Sequence, residues 1–585
     1  MILQPAHDHV RAAVLAGIDV EARAGWHEAL ARAFEDVQGE ANVDSQAVVE
    51  HWLAAGHPGN AAHHAVAAAL RAEEALAFQR AAELYAIALQ YGPWDAAGQR
   101  DLLQKQAHAL ACAGQLDEAA LYYGQAAELL PDDADAIDCE RLRIEALLRR
   151  GRLDEALPAA DRLLAHIGVR SPLGKGASRT RLGTQWKQQK LRGLDYVERD
   201  ATECRPEDLL RIDVLYSITS GLAFADPALG RVLQVDLLRL ALECGEPGRV
   251  CLALAQEVCY AAAAGSRNWT AVEALGDRLL AIADRLGSAH ARGLADTAVG
   301  IAAYMGGRWR EAGSRLESGI ATLRDHGAGV RWEIDVGEAY WLGSLFYLGD
   351  WRELYRQSTL LLRDALDRGD VVAQLGISSG RGILAWLVAG KPDQARAQLA
   401  AAERVLAEGF HLPHVQAVQA ACNIDLYAGN ASGAARRLDE AWPEIERVGA
   451  LRLQQLRVEL LLLRARVALA DSSRPIEERA RLAYKIADDL VKEAAPWAVA
   501  LGLLVRASAQ ALRDDRGSAA ATLVVAEDQL AAAGMLGWLH VARLRRGILE
   551  GGPGGIARAE AARDLLRDLG AASPDAVAAL LVPWR

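Results

Sequence analysis

Phenylalanine and methionine are nearly missing from this chain: five and three in 585 residues, against fourteen tryptophans and thirteen tyrosines. Tryptophan is thus frequent for a chain so poor in phenylalanine. Proline is also sparse, at seventeen, and alternating β-branched runs are absent, whereas alanine, leucine, arginine and glutamate dominate. Strong helix formers without breakers predict an all-α chain. The seven cysteines (112, 139, 204, 244, 251, 259, 422) form no CxxC pair. An odd, scattered set argues against a disulfide framework and for reduced thiols in a cytoplasmic protein. The longest apolar runs, such as 251–265, carry Gln256 and Glu257 and fall short of a bilayer span. Residues 1–18 have no basic leader before an apolar core, so neither a signal peptide nor a membrane span is expected. Formal charge is −12 with both signs mixed, which gives no global reason to expect nucleic acid.

Catalytic and metal-binding patterns are missing too. No GxxxxGK[ST] occurs. The nearest stretch, Gly168 to Gly176, has five residues between Gly168 and Gly174 and puts Gly176 where a magnesium-binding hydroxyl belongs. It reads as a linker. Kinase motifs, from a glycine-rich loop to a DFG-type metal site, are absent. The fourteen histidines include no HExxH, and His411 and His414, three apart, lack further ligands. The acidic group Asp132, Asp133, Asp135 and Asp138 has no turn glycine or closing glutamate and reads as capping charge at a helix start. No cofactor, no metal and no enzymatic activity are expected.

What the chain does have is a repeat. YMGGRWREA, YLGDWREL, VAGKPDQA and YAGNASGA place Gly307, Gly349, Gly390 and Gly429 at a near-constant period of about 40 residues. Five residues after each lies Ala312, Leu354, Ala395 or Ala434, and four later Leu316, Ser358, Leu399 or Leu438. A glycine accepts positive φ at a helix end and lets the chain double back, while a small residue farther on lets antiparallel helices approach. Upstream, HALACAGQLDEAALYYGQAAELLPDD carries Gly114, Ala119, Tyr123, Ala126 and Pro131, and RRGRLDEAL brings Gly151 and Ala156. These spacings resemble tetratricopeptide repeats, whose usual unit is roughly 34 residues, lengthened in the later copies. The expected architecture is an α-solenoid in which each repeat touches its neighbours and a concave groove is left for a partner. Trp309 and Trp351, each two residues past a turn glycine, are expected in the core. Trp94, Trp269, Trp332, Trp341, Trp386 and Trp442 suit either core or groove.

A second resemblance is longer. HDHVRAAVLAGI, followed by EHWLAAGHPGNAAHHAVAAALRAEEALAFQRAAELYAIAL, is similar to the junction of ATPase module and repeat array in bacterial serine/threonine kinase–ATPase (STAND-type) signalling proteins. Similar segments of that family match residues 191–232, 329–351 and the end of the chain, ARDLLRDLGAASPDAVAALLVPW. The resemblance is to the C-terminal tetratricopeptide region, without the kinase and ATPase domains. It implies a helical remnant of the junction at 1–60, repeats at 61–165, a basic linker at 166–205, a repeat array at 206–550 and a helical cap at 551–585. The implied role is a non-enzymatic scaffold for protein–protein interaction in bacterial signal transduction, binding a protein or peptide on its concave face. A kinase or ATPase would be engaged in trans. The alternative is the regulatory half of a kinase or ATPase whose catalytic domains are encoded upstream.

One local charge run departs from the acidic average. Between His166 and Leu194 there are seven basic residues and no acid. Arg179, Arg181, Lys187, Lys190 and Arg192 are the candidate binding residues there, for an anionic surface or RNA. A solvated crossover between repeat blocks, answered by nearby carboxylates, explains the same composition.

Overall fold

A computed structural model describes residues 17–37, 45–129, 134–172, 189, 192–265, 269–326, 329–406 and 408–584. Among them every regular element is helical and no strand occurs. The chain divides into two compact units, Met1–Ala146 and Leu147–Arg585.

In the first unit, packing joins helices that follow one another: Ser45–Ala54 with Pro58–Glu74, Phe78–Tyr91 with its neighbour on either side, and Ala96–Cys112 with Leu116–Leu129. The seams are made of alanine. Ala61, Ala65, Ala81, Ala88, Ala107 and Ala119 are all fully buried, with Tyr85 and Tyr123 as the large fillers. Side chains this small bring helix axes close, and the two tyrosines occupy what gaps remain. Trp52 donates its indole N–H to Glu35 at 2.7 Å, and Tyr85 donates its hydroxyl to Glu73 at 3.1 Å. The polar ends of these rings therefore stay satisfied.

The second unit uses the same hairpin with larger side chains. Ala289–Met305 pairs with Trp309–His326, Arg331–Leu348 with Trp351–Arg368, and Leu412–Tyr427 with Ala431–Arg447. The turn glycines take the left-handed conformation, as at Gly349 with φ 85° and ψ 12°, where an L side chain would be strained.

These repeats do not touch only their neighbours, as a simple solenoid would. The turns pack on helix starts far along the chain. A Cβ added to Gly265 would meet Gln454, one on Gly307 would meet Trp497, one on Gly349 would meet Gly537, and one on Gly390 would meet Ala572. Turn and partner are offset in sequence by nearly the same amount each time, so the array lays a second tier against the first in almost constant register. Tryptophan fills the seam. Trp309 stacks on Tyr347 with ring centroids 4.0 Å apart, and Trp497 meets Trp309 edge-on at 5.6 Å. Ala572 closes the register by donating its backbone N–H to the Val388 carbonyl at 2.9 Å.

Candidate functional site

The repeat glycines named above, Gly114, Gly151, Gly307, Gly349, Gly390 and Gly429, all have positive φ. Ala119, Ala156, Ala312, Ala395 and Ala434 are fully buried in helix contacts. Trp309, Trp351 and Trp386 are core, whereas Trp332 lines a cavity.

That cavity, of about 350 Å³, lies wholly within the 147–585 unit. Its wall is contributed by the helices Pro206–Ala225, Pro247–Ala263, Ala289–Met305, Arg331–Leu348, Val371–Ser378 and Leu412–Tyr427, together with the second-tier helix Gln454–Ala470. About half of the wall is alanine, leucine and other apolar side chains; the rest includes seven acidic or basic side chains, two histidines and four glutamines.

One cluster joins the tiers. Arg381 donates to both oxygens of Glu459, at 2.8 and 2.9 Å, and lies over the Tyr304 ring at 4.9 Å. The Tyr347 hydroxyl also donates to Glu459, at 2.8 Å, and the Gln455 amide donates to the same carboxylate. Burial opposes the Arg381 charge, but the Glu459 carboxylate and the two tyrosine hydroxyls outweigh it and hold the guanidinium above its ordinary range. Arg466, buried nearby with fewer partners, is instead pushed down to about 10 by desolvation.

A second cluster is organised by two carboxylates one helical turn apart on Arg331–Leu348. Asp335 pairs with Arg331, and Glu338 accepts from Arg324 at 2.5 Å and from Arg331 at 3.3 Å. Arg368 binds Asp370 at 2.8 Å and Asp364 at 3.0 Å. Four carboxylates thus meet three guanidiniums. Burial, then the Asp370 and Glu338 charges, push the Asp335 carboxyl well above its ordinary value, and Arg331 offsets only part of this.

His411 and His414 line the cavity at the start of Leu412–Tyr427, where the His411 backbone N–H donates to the His414 ring at 3.2 Å. They serve a helix end. No group of histidine, cysteine, aspartate and glutamate among the described residues could hold a metal ion. Of the acidic group before and within the 134–150 helix, Asp132 and Asp133 lie outside the described residues. Asp135 pairs with Arg100 and Asp138 with Arg141, at 2.7 and 2.8 Å. Arg179, Arg181, Lys187 and Lys190 likewise lie outside the described residues. Arg192 is exposed and donates to the Gly193 and Asp195 carbonyls, at 3.3 Å each. No described helix is long and apolar enough to cross a membrane.

The cavity escaped sequence reading because its residues come from stretches as far apart as Leu148 and Glu459. The sequence signals that fall on it are Trp332, one of the tryptophans left open between core and groove, and the pair His411 and His414.

No family model matches the chain, and no curated protein matches it. Among solved structures it is similar to a chain in the crystal structure of the APC/C hetero-tetramer Cut9-Hcn1, at 14% identity over 93% of each chain, with a TM-score of 0.45. A circular tandem repeat protein with novel repeat topology and enhanced subunit contact surfaces aligns at 15% identity, over 96% of this chain and 94% of that one, with a TM-score of 0.12. Neither superposition is close enough to carry an argument, so the assignment rests on the helices and turn glycines themselves. The fold is an α-solenoid of tetratricopeptide-like hairpins. Repetition of one hairpin along two tiers makes the chain a repeat scaffold.

Proposed function

We propose that this repeat scaffold mediates protein–protein interaction in bacterial signal transduction without catalysing a reaction, and that it engages a kinase or ATPase in trans. The observation that carries this is the surface of the first unit. Its helices Pro58–Glu74 and Ala96–Cys112 hold their apolar stripes in alanine seams, and His63, Leu70, Asp101 and His108 are left exposed. A preformed helical face of mixed polarity binds a partner segment with little ordering cost to the scaffold. The resemblance to the repeat regions of kinase–ATPase proteins supports the signalling role and the choice of partner class.

The test begins with affinity capture on the full chain, with nucleotide hydrolysis assayed in the same preparation. The captured kinase or ATPase is then purified and titrated against the chain and its Leu70→Glu/His108→Glu variant. The expected result is no hydrolysis by the chain alone, a defined complex, and at least tenfold weaker binding by the variant. Hydrolysis by the purified chain, or full affinity in the variant, would overturn the proposal.

A further inference from the structure

The charged groups around the cavity of the second unit are committed to the protein itself. Arg381 donates to both oxygens of Glu459. Arg149 lies 3.9 Å from Glu333 and over the Trp332 ring at 4.9 Å, and Arg150 donates to the Val405 carbonyl at 2.7 Å. Glu338 is shared by Arg324 and Arg331. Burial and the neighbouring carboxylates hold the Asp335 carboxyl well above its ordinary range, which favours its protonated form, and Arg331 faces it where it ionises. With Asp335 uncharged, the wall sets three carboxylates against three guanidiniums. Of its two histidines, His414 accepts the His411 backbone N–H on Nδ1 at 3.2 Å, a bond that only an unprotonated ring nitrogen accepts.

A charged ligand therefore gains no partner here. To pair with the wall it must part a guanidinium from its carboxylate and leave one of the two uncompensated, and its own charge gives up water on entry. An uncharged ligand meets neither cost. Between the ion pairs the wall is formed by Ala298, Ile301, Met305, Val336, Leu375 and Leu456. Water against such a surface is poorly held, and an apolar molecule that displaces it gains free energy. Any hydrogen bond the ligand needs is offered by neutral amides, those of Gln416 and Gln419.

Size sets the second limit. At about 350 Å³ the cavity is within the range of ligand sites, roughly 300 to 1,000 Å³, and larger than the voids that packing leaves in a core. A cavity of roughly 150 Å³ holds benzene, so on the same scale this one holds on the order of a dozen non-hydrogen atoms.

We propose that this cavity binds an uncharged, mainly hydrocarbon small molecule of that size, bearing at most a hydroxyl or carbonyl group, and that it discriminates against amines and carboxylates alike. Leu456 belongs to the second-tier helix Gln454–Ala470, and the other five apolar residues belong to first-tier helices. The occupant thus touches both tiers, and its binding tightens the seam between them. This inference goes beyond the scaffold reading and does not rest on it.

The full-length chain is titrated calorimetrically, and its Tm followed, with two probe series that differ in head group alone. Adamantanol, adamantanamine and adamantane carboxylate share a compact body; octanol, octylamine and octanoate share a linear one. Solutions are held at about pH 7.5, above the ordinary range of histidine, so that histidine charge does not enter the comparison. At least one alcohol is expected to bind saturably and raise Tm, with the amine and the carboxylate of its series each at least tenfold weaker. Ala263→Trp and Ala339→Trp enlarge two half-buried wall alanines and should each abolish the binding. Glu459→Gln removes the carboxylate that holds Arg381 and should raise affinity for the carboxylate probes at least tenfold. The selectivity of the unaltered chain decides the proposal even where a variant fails to fold. An amine or carboxylate that binds as tightly as the alcohol, no saturable binding of any probe, full alcohol affinity in a filled variant, or carboxylate affinity unchanged by Glu459→Gln would each overturn it.

Discussion

The two units are built from the same hairpin and held together differently. In residues up to Ala146 packing passes from each helix to the next, through alanine. In the second unit turns at Gly265, Gly307 and Gly349 also pack on the distant helix starts at Gln454, Trp497 and Gly537, through tryptophan and tyrosine. Three tryptophans fall in Met1–Ala146 and eleven in the rest. The lesson is that a hairpin repeat does not decide whether an array behaves as a one-dimensional stack. Stability that is a sum of neighbour contacts belongs to the first unit; the second has added long-range contacts that couple its tiers.

The most severe way to break that coupling is to empty the seam. Trp497 is 1% exposed and packs on Trp309 and Tyr347, so Trp497→Ala should cost about 3 to 5 kcal/mol. Chemical denaturation should show the loss, and hydrogen exchange should rise in peptides of both tiers at once. An increase confined to 496–512 would mean the tiers are not coupled.

Placing a charge in the helix seams separates the units directly. Ala119→Asp and Ala312→Asp each bury an unpaired carboxylate at a fully buried site and should cost on the order of 3 kcal/mol or more. Faster exchange is expected within 1–146 for the first, and across both tiers of 147–585 for the second. Identical, local patterns in both would erase the distinction.

Turn glycines offer a graded comparison. At Gly307, φ is 77° and an added Cβ would come within 2.1 Å of Trp497; Gly307→Ala therefore strains the backbone and displaces the ring, a loss of about 3 kcal/mol. At Gly429, with φ 79°, nothing lies within 4 Å of the new Cβ, so Gly429→Ala should lose only about 1 kcal/mol from backbone strain. Denaturation midpoints that differ little between the two would show that the contact at Gly307 contributes nothing.

The smallest effect is electrostatic. The folded state holds the Asp335 carboxyl above its ordinary value of 3.8, so the native protein binds that proton more tightly than the unfolded chain does. Stability from this group is present below the unfolded value and lost as pH rises from there through the folded value. Asp335→Asn should therefore flatten the fall of Tm as pH is raised above about 4, with no such raised carboxyl among the described residues of the first unit. A variant whose pH profile parallels the original would place the proton elsewhere.

Local chemistry made much of this legible in advance. Helix formers without strand patterns, a glycine at each turn and a small or apolar residue five positions later are short-range requirements, and short-range requirements are written in contiguous residues. The absence of a phosphate loop or metal spacing is read in the same way. The cavity was not legible, because Asp335, Arg381, Gln419 and Glu459 belong to different hairpins and share no spacing that differs from an ordinary solvated or buried position. The sequence by itself therefore determined the helices, the turns and the hairpin unit. Only the tertiary structure decided that the second unit returns on itself. That return depends on turns such as Gly307 meeting helix starts such as Trp497, far along the chain, and on rings that fill the seam only when both tiers are in place.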